Sequence, residues 1–398
     1  MPLVAGLDSA RPAVHVWEAG PGGLQEVGVI DGDAAAYPPD EWKRDGLVPS
    51  LTWHPHEPSL VVAGPAGLRR WTPGGAASVV AGAPSNARCQ EVAFSPDGRT
   101  LWASPASTLD DDEAWQYSDA LDLDTGALLV GPHWDTGVAE HPGGGVVVTL
   151  SSDQARTDLL FARPGGGVPA TMRVLRDAIV LDADCYELPV FSDDGRYLAV
   201  RGNAYVETLD VFEFPTMRKV LHTSLGEPYP GYPYPPAWLE EQARWSRHTV
   251  AFAPRTGVLL VGTSRGAILE LDVEEGRVSE HDVAAAPISA LAVTSTGRLV
   301  VADRSGQLAV IDVPGNAGRD TRQVTAAAAR ARAEEFLAAT AELPDGADLE
   351  TSLIRHDGQR AWSAGDLETV TTAEDADPIW LRLRAAINTN FQAPDDPA

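Results

Sequence analysis

The sequence is poor in lysine. Of its 30 basic residues only Lys43 and Lys219 are not arginine, against 57 acidic residues, and the formal charge is −27. A chain so short of positive charge is a poor partner for nucleic acid phosphates or anionic lipid headgroups, which need clustered Lys and Arg. Neither nucleic acid nor membrane is therefore an expected partner. Two cysteines, Cys89 and Cys185, do not make a disulfide framework, and a reducing cytoplasm is the default compartment. No stretch approaches about 18 consecutive apolar residues, so no membrane helix is expected. The start, MPLVAGLDSARP, lacks the basic and then apolar run of a secretory signal. Missing too are a Gly-x-Ser-x-Gly elbow, a Walker loop and a Gly-x-Gly-x-x-Gly turn between strand and helix. Arginine in place of lysine, with abundant Ala and Gly, fits a GC-rich bacterial genome.

What the sequence does have is punctuation. Its 37 Gly and 31 Pro in 398 residues suit many short strands joined by turns, since proline is awkward inside helices and central strands. Apolar residues make up 44 % of the chain, enough for a packed core. One tile recurs: an apolar strand, a turn, a second apolar strand. EVAFSPDGRTLWAS (from Glu91) is its clearest copy, and LPVFSDDGRYLAVR (Leu188), TVAFAPRTGVLLVG (Thr249) and ALAVTSTGRLVVAD (Ala290) follow it. SLTWHPHEPSLVVAG (Ser50) and GVAEHPGGGVVVTL (Gly137) complete six copies. The residue before each turn is Trp53, Phe94, Glu140, Phe191, Phe252 or Val293, giving steps of 41, 46, 51, 61 and 41 residues. A period near 40 with insertions is that of a propeller blade of four antiparallel strands.

Third and fourth strands recur as well. In AILELDV, Ile268, Glu270 and Asp272 alternate with Leu269, Leu271 and Val273, the period of two that marks strands. The N-terminal LVAGLDSARPAVHVWEAGPGGLQEVGVI reads as three strands equivalent to the tail of a blade. Completion of that partial blade by the other end of the array would close the ring and remove the exposed edge. The count is about seven blades, with six or eight as alternatives.

The F-S-P-D-G-R and F-S-D-D-G-R turns at 94–99 and 191–196 resemble those of the WD40-repeat family. So do the strand ends His15-Val16-Trp17, Leu68-Arg69-Arg70-Trp71, Leu269-Glu270-Leu271-Asp272 and Val310-Ile311-Asp312. The resemblance spans roughly residues 3 to 315 and is divergent. The family's Gly-His pair before each first strand is missing, and Trp-Asp is absent as a dipeptide from most blades. The Asp-His-Ser-Trp hydrogen-bonded set of regular repeats is therefore not carried over. The expected fold is all-β: a single WD40-like propeller over residues 1–315, with a mainly helical extension over 316–398.

In that extension TRQVTAAAARARAEEFLAATAEL is rich in helix formers, with Val324, Ala327, Ala331, Phe336 and Ala339 as its expected buried stripe. ETSLIRHDGQRAWSAGD reads as a hairpin turning at Asp357-Gly358, or as two short helical pieces. DPIWLRLRAAINTNF reads as a helix capped by Asp377, with Pro378 at its first position and Trp380, Leu383 and Ile387 on one face. So small a segment makes a marginal domain, and docking of its helices on the propeller is expected.

Several residues invite a chemical reading. His54, His56 and Glu57 could hold a metal, but two histidines alone do not complete a zinc site. His54-Pro55 also aligns with the turn residues Ser95-Pro96, a pattern that His141-Pro142 repeats. Cys89 and Cys185 precede Phe94 and Phe191 by five and six residues, and each is followed two residues later by a glutamate, Glu91 or Glu187. That places both near the central channel, with no base in sight to activate a thiol. LDDDE at 109–113 lacks calcium-loop spacing and reads as a solvated acidic loop. No cofactor or metal is expected.

The insertions are more informative. In a four-stranded antiparallel blade, the connection from second to third strand and the connection to the next blade share one face of the disc. The long segments 31–47, 104–119 and 224–246 all fall in such connections. They carry Tyr37, Trp42, Trp115, Tyr117, Tyr229, Tyr232, Tyr234, Trp238 and Trp245, with Lys43, Arg44, Arg244, Arg247 and His248 among or beside them. Tyr, Trp and Arg dominate binding hot spots, and proline lowers the ordering cost of a loop. The expected function is a non-enzymatic scaffold binding a protein or peptide on this face. The alternatives are a hydrolase or lactonase with a site at the channel mouth, and a small-molecule or glycan-binding module.

Overall fold

The computed structural model describes residues 2–20, 22–40, 43–44, 46–84, 89–107, 109, 111–152, 156–182, 186–202, 207–313, 319–375 and 377–392. Seven antiparallel sheets follow one another along the chain as blades of a propeller. Blade 1 is β1 (Leu3–Leu7), β2 (Val14–Gly20) and β3 (Gly23–Ile30). Blade 2 is β4 (Ser50–Trp53), β5 (Leu60–Gly64), β6 (Gly67–Trp71) and β7 (Ser78–Val79). Blade 3 is β8 (Glu91–Phe94), β9 (Thr100–Ser104), β10 (Tyr117–Asp122) and β11 (Leu128–Pro132), with the single turn α1 (Asp111–Ala114) between β9 and β10. Blade 4 holds β12 (Ala139–Glu140), β13 (Val147–Ser152), β14 (Thr157–Pro164) and β15 (Met172–Leu181). Blade 5 holds β16 (Val190–Phe191), β17 (Tyr197–Arg201), β18 (Thr208–Glu213) and β19 (Arg218–Ser224). Blade 6 holds β20 (Val250–Phe252), β21 (Val258–Gly262), β22 (Ala267–Asp272) and β23 (Arg277–Asp282). Blade 7 is β24 (Ile288–Val293), β25 (Arg298–Asp303) and β26 (Leu308–Asp312).

The tile's turn is a hydrogen-bonded unit. Ser95 Oγ donates to Asp97 Oδ1 at 2.6 Å and accepts from Thr100 N–H at 3.0 Å, while Asp97 Oδ1 also accepts Arg99 N–H at 3.1 Å. Blade 5 repeats it: Ser192 Oγ to Asp194 Oδ1 at 2.7 Å, and Tyr197 N–H to Ser192 Oγ at 2.9 Å. Gly98 and Gly195 close these turns at φ +74° and +64°, where a side chain would be strained. Between blades, alternate strand residues meet. Val61, Ala63 and Leu68 of blade 2 pack on Val92, Phe94 and Leu101 of blade 3.

The histidines of the His-Pro turns join blades. His54 Nδ1 accepts the backbone N–H groups of His56 and Glu57 at 3.1 and 3.0 Å, and its ring lies over Gly98 of the next blade. His141 does the same against Gly195, whose carbonyl it meets through Nε2 at 3.1 Å. A Cβ at either glycine would lie 2.3 Å from the imidazole.

Three expectations need correction. Among the described residues blade 1 has the three strands read from the sequence, blade 7 has three instead of four, and the end of the array does not complete blade 1. The next described element after β26 is a helix. Blade 4 gains two strands: β27 (Ile354–His356) pairs parallel with β15, and β28 (Ala361–Trp362) follows it as a hairpin. Short helices α4 (Leu349–Ser352) and α5 (Ala364–Thr369) flank that hairpin, so both readings of the segment are realised.

The helix faces differ as well. In α3 (Arg319–Ala339) the buried residues are Ala329, Ala333 and Phe336, while Ala327, Ala331 and Ala339 are exposed. Val324's side chain lies outside the described set. In so alanine-rich a helix periodicity cannot choose the face; Phe336 chooses it, packing at 5.0 and 4.9 Å from Phe161 and Phe214. In α6 (Ile379–Gln392) Trp380, Leu381 and Ala385 are buried, and Leu383 and Ile387 are exposed. Asp377 does not cap this helix. Its carboxylate accepts Glu374 N–H, and Trp380 N–H is taken by Asp182 at the end of β15. The tail is locked by Arg355, whose guanidinium is 1 % exposed and forks onto Asp158 at 3.1–3.2 Å while also meeting the Leu349 and Glu350 carbonyls.

Candidate interaction face

The largest insertion, between β19 and β20, is built in two halves. Its second half is clamped. Arg304, in the β25–β26 turn of blade 7, spreads its guanidinium over Ser246 Oγ, Ala243 O and Trp245 O at 3.0, 2.5 and 2.7 Å. Ser264, in the equivalent turn of blade 6, donates to Glu241 in α2 (Pro236–Gln242) at 2.6 Å. From below, Arg201 at the end of β17 bonds Ser246 O at 3.0 Å and Thr249 Oγ1, with the Trp245 ring 5.1 Å from its guanidinium. Three blades thus hold one loop, and their contacts place the second-to-third-strand turns on the same face as the insertion.

Arg201 carries a buried charge cluster. Its side chain is 1 % exposed and pairs with Glu207 at 2.6 Å and Glu187 at 3.5 Å. Burial pushes Glu207 up to about 7 against the pull of Arg201, and the nearby Glu187 adds to the rise. The Gln242 amide, the Trp245 indole N–H and one oxygen of Glu187 are buried here with no hydrogen-bond partner among the described residues. Leaving such a group unpaired costs about 1–3 kcal/mol.

The first half of the insertion stands outward. Tyr229, Tyr234 and Trp238 form one aromatic group: Tyr234 stacks on Trp238 at 5.4 Å, Tyr229 meets both edge-on, and the Tyr229 and Tyr234 hydroxyls lie 3.3 Å apart. Tyr232 packs its edge on Tyr234 yet is 86 % exposed. At the channel end, His248 holds a left-handed backbone, φ +61°, and donates its N–H to Glu187 at 3.0 Å. A non-glycine residue in that region is strained and persists only when its surroundings fix it. Desolvation lowers the His248 pKa; Glu187 opposes this, while Arg247 and Arg201 add to it. Arg247 is exposed and also acts on Glu91 at the start of β8.

The other expected residues are distributed around the face. Arg44 lies over the Tyr37 ring at 5.1 Å, Tyr37 N–H bonds Ala10 O, and exposed Lys43 pairs with Asp40 at 3.7 Å. Arg44 is near enough to Arg304 to depress its pKa, behind the larger effect of burial. Trp42 lies outside the described residues. Trp115 and Tyr117 are exposed on blade 3, and among the described residues no ring contact joins them to the tyrosine group. Sequence reasoning missed Arg201 and Arg304. Arg201 had a signal, being a lone cation at a strand end where other tiles have Gly64, Ser104, Gly262 or Asp303.

Two inner-strand carboxyls, Glu91 and Glu140, are raised by desolvation. Glu91 accepts a 2.9 Å bond from Ser50 of blade 2, and desolvation pushes it up to about 7 despite that bond and Arg247. Cys89 beside it is pushed up to about 12 by burial and by Asp119, so its thiol is protonated at neutral pH. Cys185 lies outside the described residues. A cleft of about 1320 Å³ separates blade 5 from the tail, but its carboxylates are engaged: Asp210 with Lys219 and His222, Asp357 with Trp362, Asp366 with Ser363.

Comparison with known proteins supports the architecture. No family model matches the chain, and no curated protein does. Solved structures match in large numbers, 1036 chains, so the fold is common and carries no single function with it. Among them is the Cps50 (Swd1) beta-propeller domain of Myceliophteria thermophila, at 10 % identity and a TM-score of 0.52, covering 78 % of this chain and 93 % of that one. The fold is a seven-bladed WD40-like propeller with a small C-terminal helical region. Among the described residues, no helix is long and apolar enough to cross a membrane, and no group of three or more His, Cys, Asp or Glu is arranged to hold a metal ion.

Proposed function

We propose that this propeller is a non-enzymatic scaffold that binds a protein or peptide partner through its insertion-bearing face. The observation that carries the reading is the outward aromatic group Tyr229, Tyr232, Tyr234 and Trp238, standing on a loop that three blades hold in place. Rings already packed on each other lose little freedom on binding, which is what makes aromatic anchors effective. Arg44, Arg247 and Arg304 lie on the same face, and a partner meeting them supplies carboxylates or aromatic faces. The test is affinity capture with the full chain and with a Tyr232→Ser/Trp238→Ser variant. Loss of a specifically retained partner by at least tenfold supports the reading. Retention of the same partners by the variant sinks it.

A second reading, a hydrolase with a site at the channel mouth, has one observation in its favour: the Glu91 carboxyl, near 7 and bonded to Ser50, is tuned as a general base would be. Screening ester, lactone and phosphoester substrates decides it. Turnover abolished by Glu91→Gln would replace the scaffold reading.

A further inference from the structure

We propose that the inner edge of β1 is a second binding site, independent of the insertion face, which takes an extended peptide from a partner chain as the missing fourth strand of blade 1. In blades 2 to 7 an inner strand covers the channel-side edge of the strand equivalent to β1: β4 on β5, β8 on β9, β12 on β13, β16 on β17, β20 on β21 and β24 on β25. Among the described residues blade 1 has no such strand. The consequence shows in burial. Every residue of β9, β17 and β21 is buried, whereas no residue of β1 is, and Leu7 is 44 % exposed.

The free edge has a defined register. The β1–β2 ladder pairs Leu3 with Glu18 through Leu7 with Val14. It is bracketed by Ala19 N–H to Pro2 O and Asp8 N–H to Ala13 O, each 2.9 Å. In an antiparallel pair the bonded residues alternate, so Val4 and Gly6 turn their backbone groups to β2. Those of Leu3, Ala5 and Leu7 point to the open side. An added strand meets three N–H and three C=O groups there, as in recognition by strand addition.

The six existing inner strands indicate what fits. Leu51-Thr52-Trp53, Val92-Ala93-Phe94 and Val250-Ala251-Phe252 share an apolar, small, aromatic order. Val92 and Phe94 pack toward the preceding blade and the small Ala93 toward the following one. The occupant is therefore an extended segment with that alternation, running antiparallel to β1. A folded copy of this chain has its own inner strands engaged and cannot donate one.

The test uses the full chain and a synthetic nonapeptide of residues 48–56, Val-Pro-Ser-Leu-Thr-Trp-His-Pro-His, as probe, with the same peptide carrying proline in place of its threonine as control. Residue-resolved hydrogen exchange should find the Leu3, Ala5 and Leu7 amides fast and the Val4 and Gly6 amides slow. The probe should then slow the first three at least tenfold and the control should not. Ala5→Pro removes one outward N–H without touching a bond to β2, and should weaken binding at least tenfold while leaving the Gly6 amide slow. Slow exchange at Leu3, Ala5 and Leu7 in the free chain would mean the edge is already closed and would overturn the proposal. So would the absence of protection by the probe, or equal binding of probe and control.

Discussion

Replacing Arg201 tests the idea that a buried cation organises the interaction face. Arg201→Met keeps the packing volume and removes the charge. It leaves Glu187 and Glu207, 4 % and 2 % exposed in their side chains, facing each other with their shared guanidinium gone. It also removes the bonds to Ser246 O and Thr249 Oγ1 that hold the insertion. Breaking a buried pair from one side costs about 3–5 kcal/mol, and two stranded carboxylates place this case at the upper end near pH 8. The sign with pH is fixed. A carboxyl whose folded pKa lies above its unfolded value binds more protons when folded, so its contribution to stability falls as pH rises between the two. Without Arg201 the Glu207 carboxyl moves further up, so the loss should be large at pH 8 and clearly smaller at pH 5, where that carboxyl is closer to neutral. Urea unfolding of wild type and variant at the two pH values measures it, and hydrogen exchange at 243–249 should quicken in the variant. Adding Glu187→Gln and Glu207→Gln should recover most of the loss, because the penalty lies in the unpaired charges. A loss under about 1 kcal/mol at pH 8, or equal losses at both pH values, would refute the reasoning.

Three further outcomes follow from other parts of the molecule. Glu91→Gln should flatten the stability profile between pH 4.5 and 7. Wild type, whose carboxyl rises from an ordinary 4.5 to about 7 on folding, loses up to about 3 kcal/mol relative to the variant across that window, read by urea titrations at four pH values. Gly195→Ala should cost about 2–4 kcal/mol, since its φ is +64° and the new Cβ would lie 2.3 Å from the buried His141 ring. Gly74→Ala, at φ +76° in open space, should cost only about 1 kcal/mol; equal losses would defeat the steric argument. Arg355→Ala should cost about 3 kcal/mol, the low end of its class because Arg156, 3.5 Å from Asp158, still faces that carboxylate. Arg355→Met with Asp158→Asn should recover most of it in the same unfolding assay.

The sequence by itself determined the repeating tile, the ring it builds and the side of the disc on which the long insertions lie. These features are local or periodic. Ser-Pro-Asp-Gly turns, two-residue alternation and a fixed strand order need only near neighbours, and antiparallel connectivity then assigns each loop to a face. Tertiary structure decided what depends on distant partners. It set the face of the alanine-rich α3, because Phe336 packs on Phe161 and Phe214. It moved the cap of α6 from Asp377 to Asp182, 198 residues from the N–H it accepts. It brought Arg201, Glu187, Glu207 and Arg304 under one loop, although each comes from a different strand end or turn. Among the described residues it also left β1 without an inner strand. Periodicity cannot say where the far end of the array packs; α3, Arg355 and β27 hold it against blade 4.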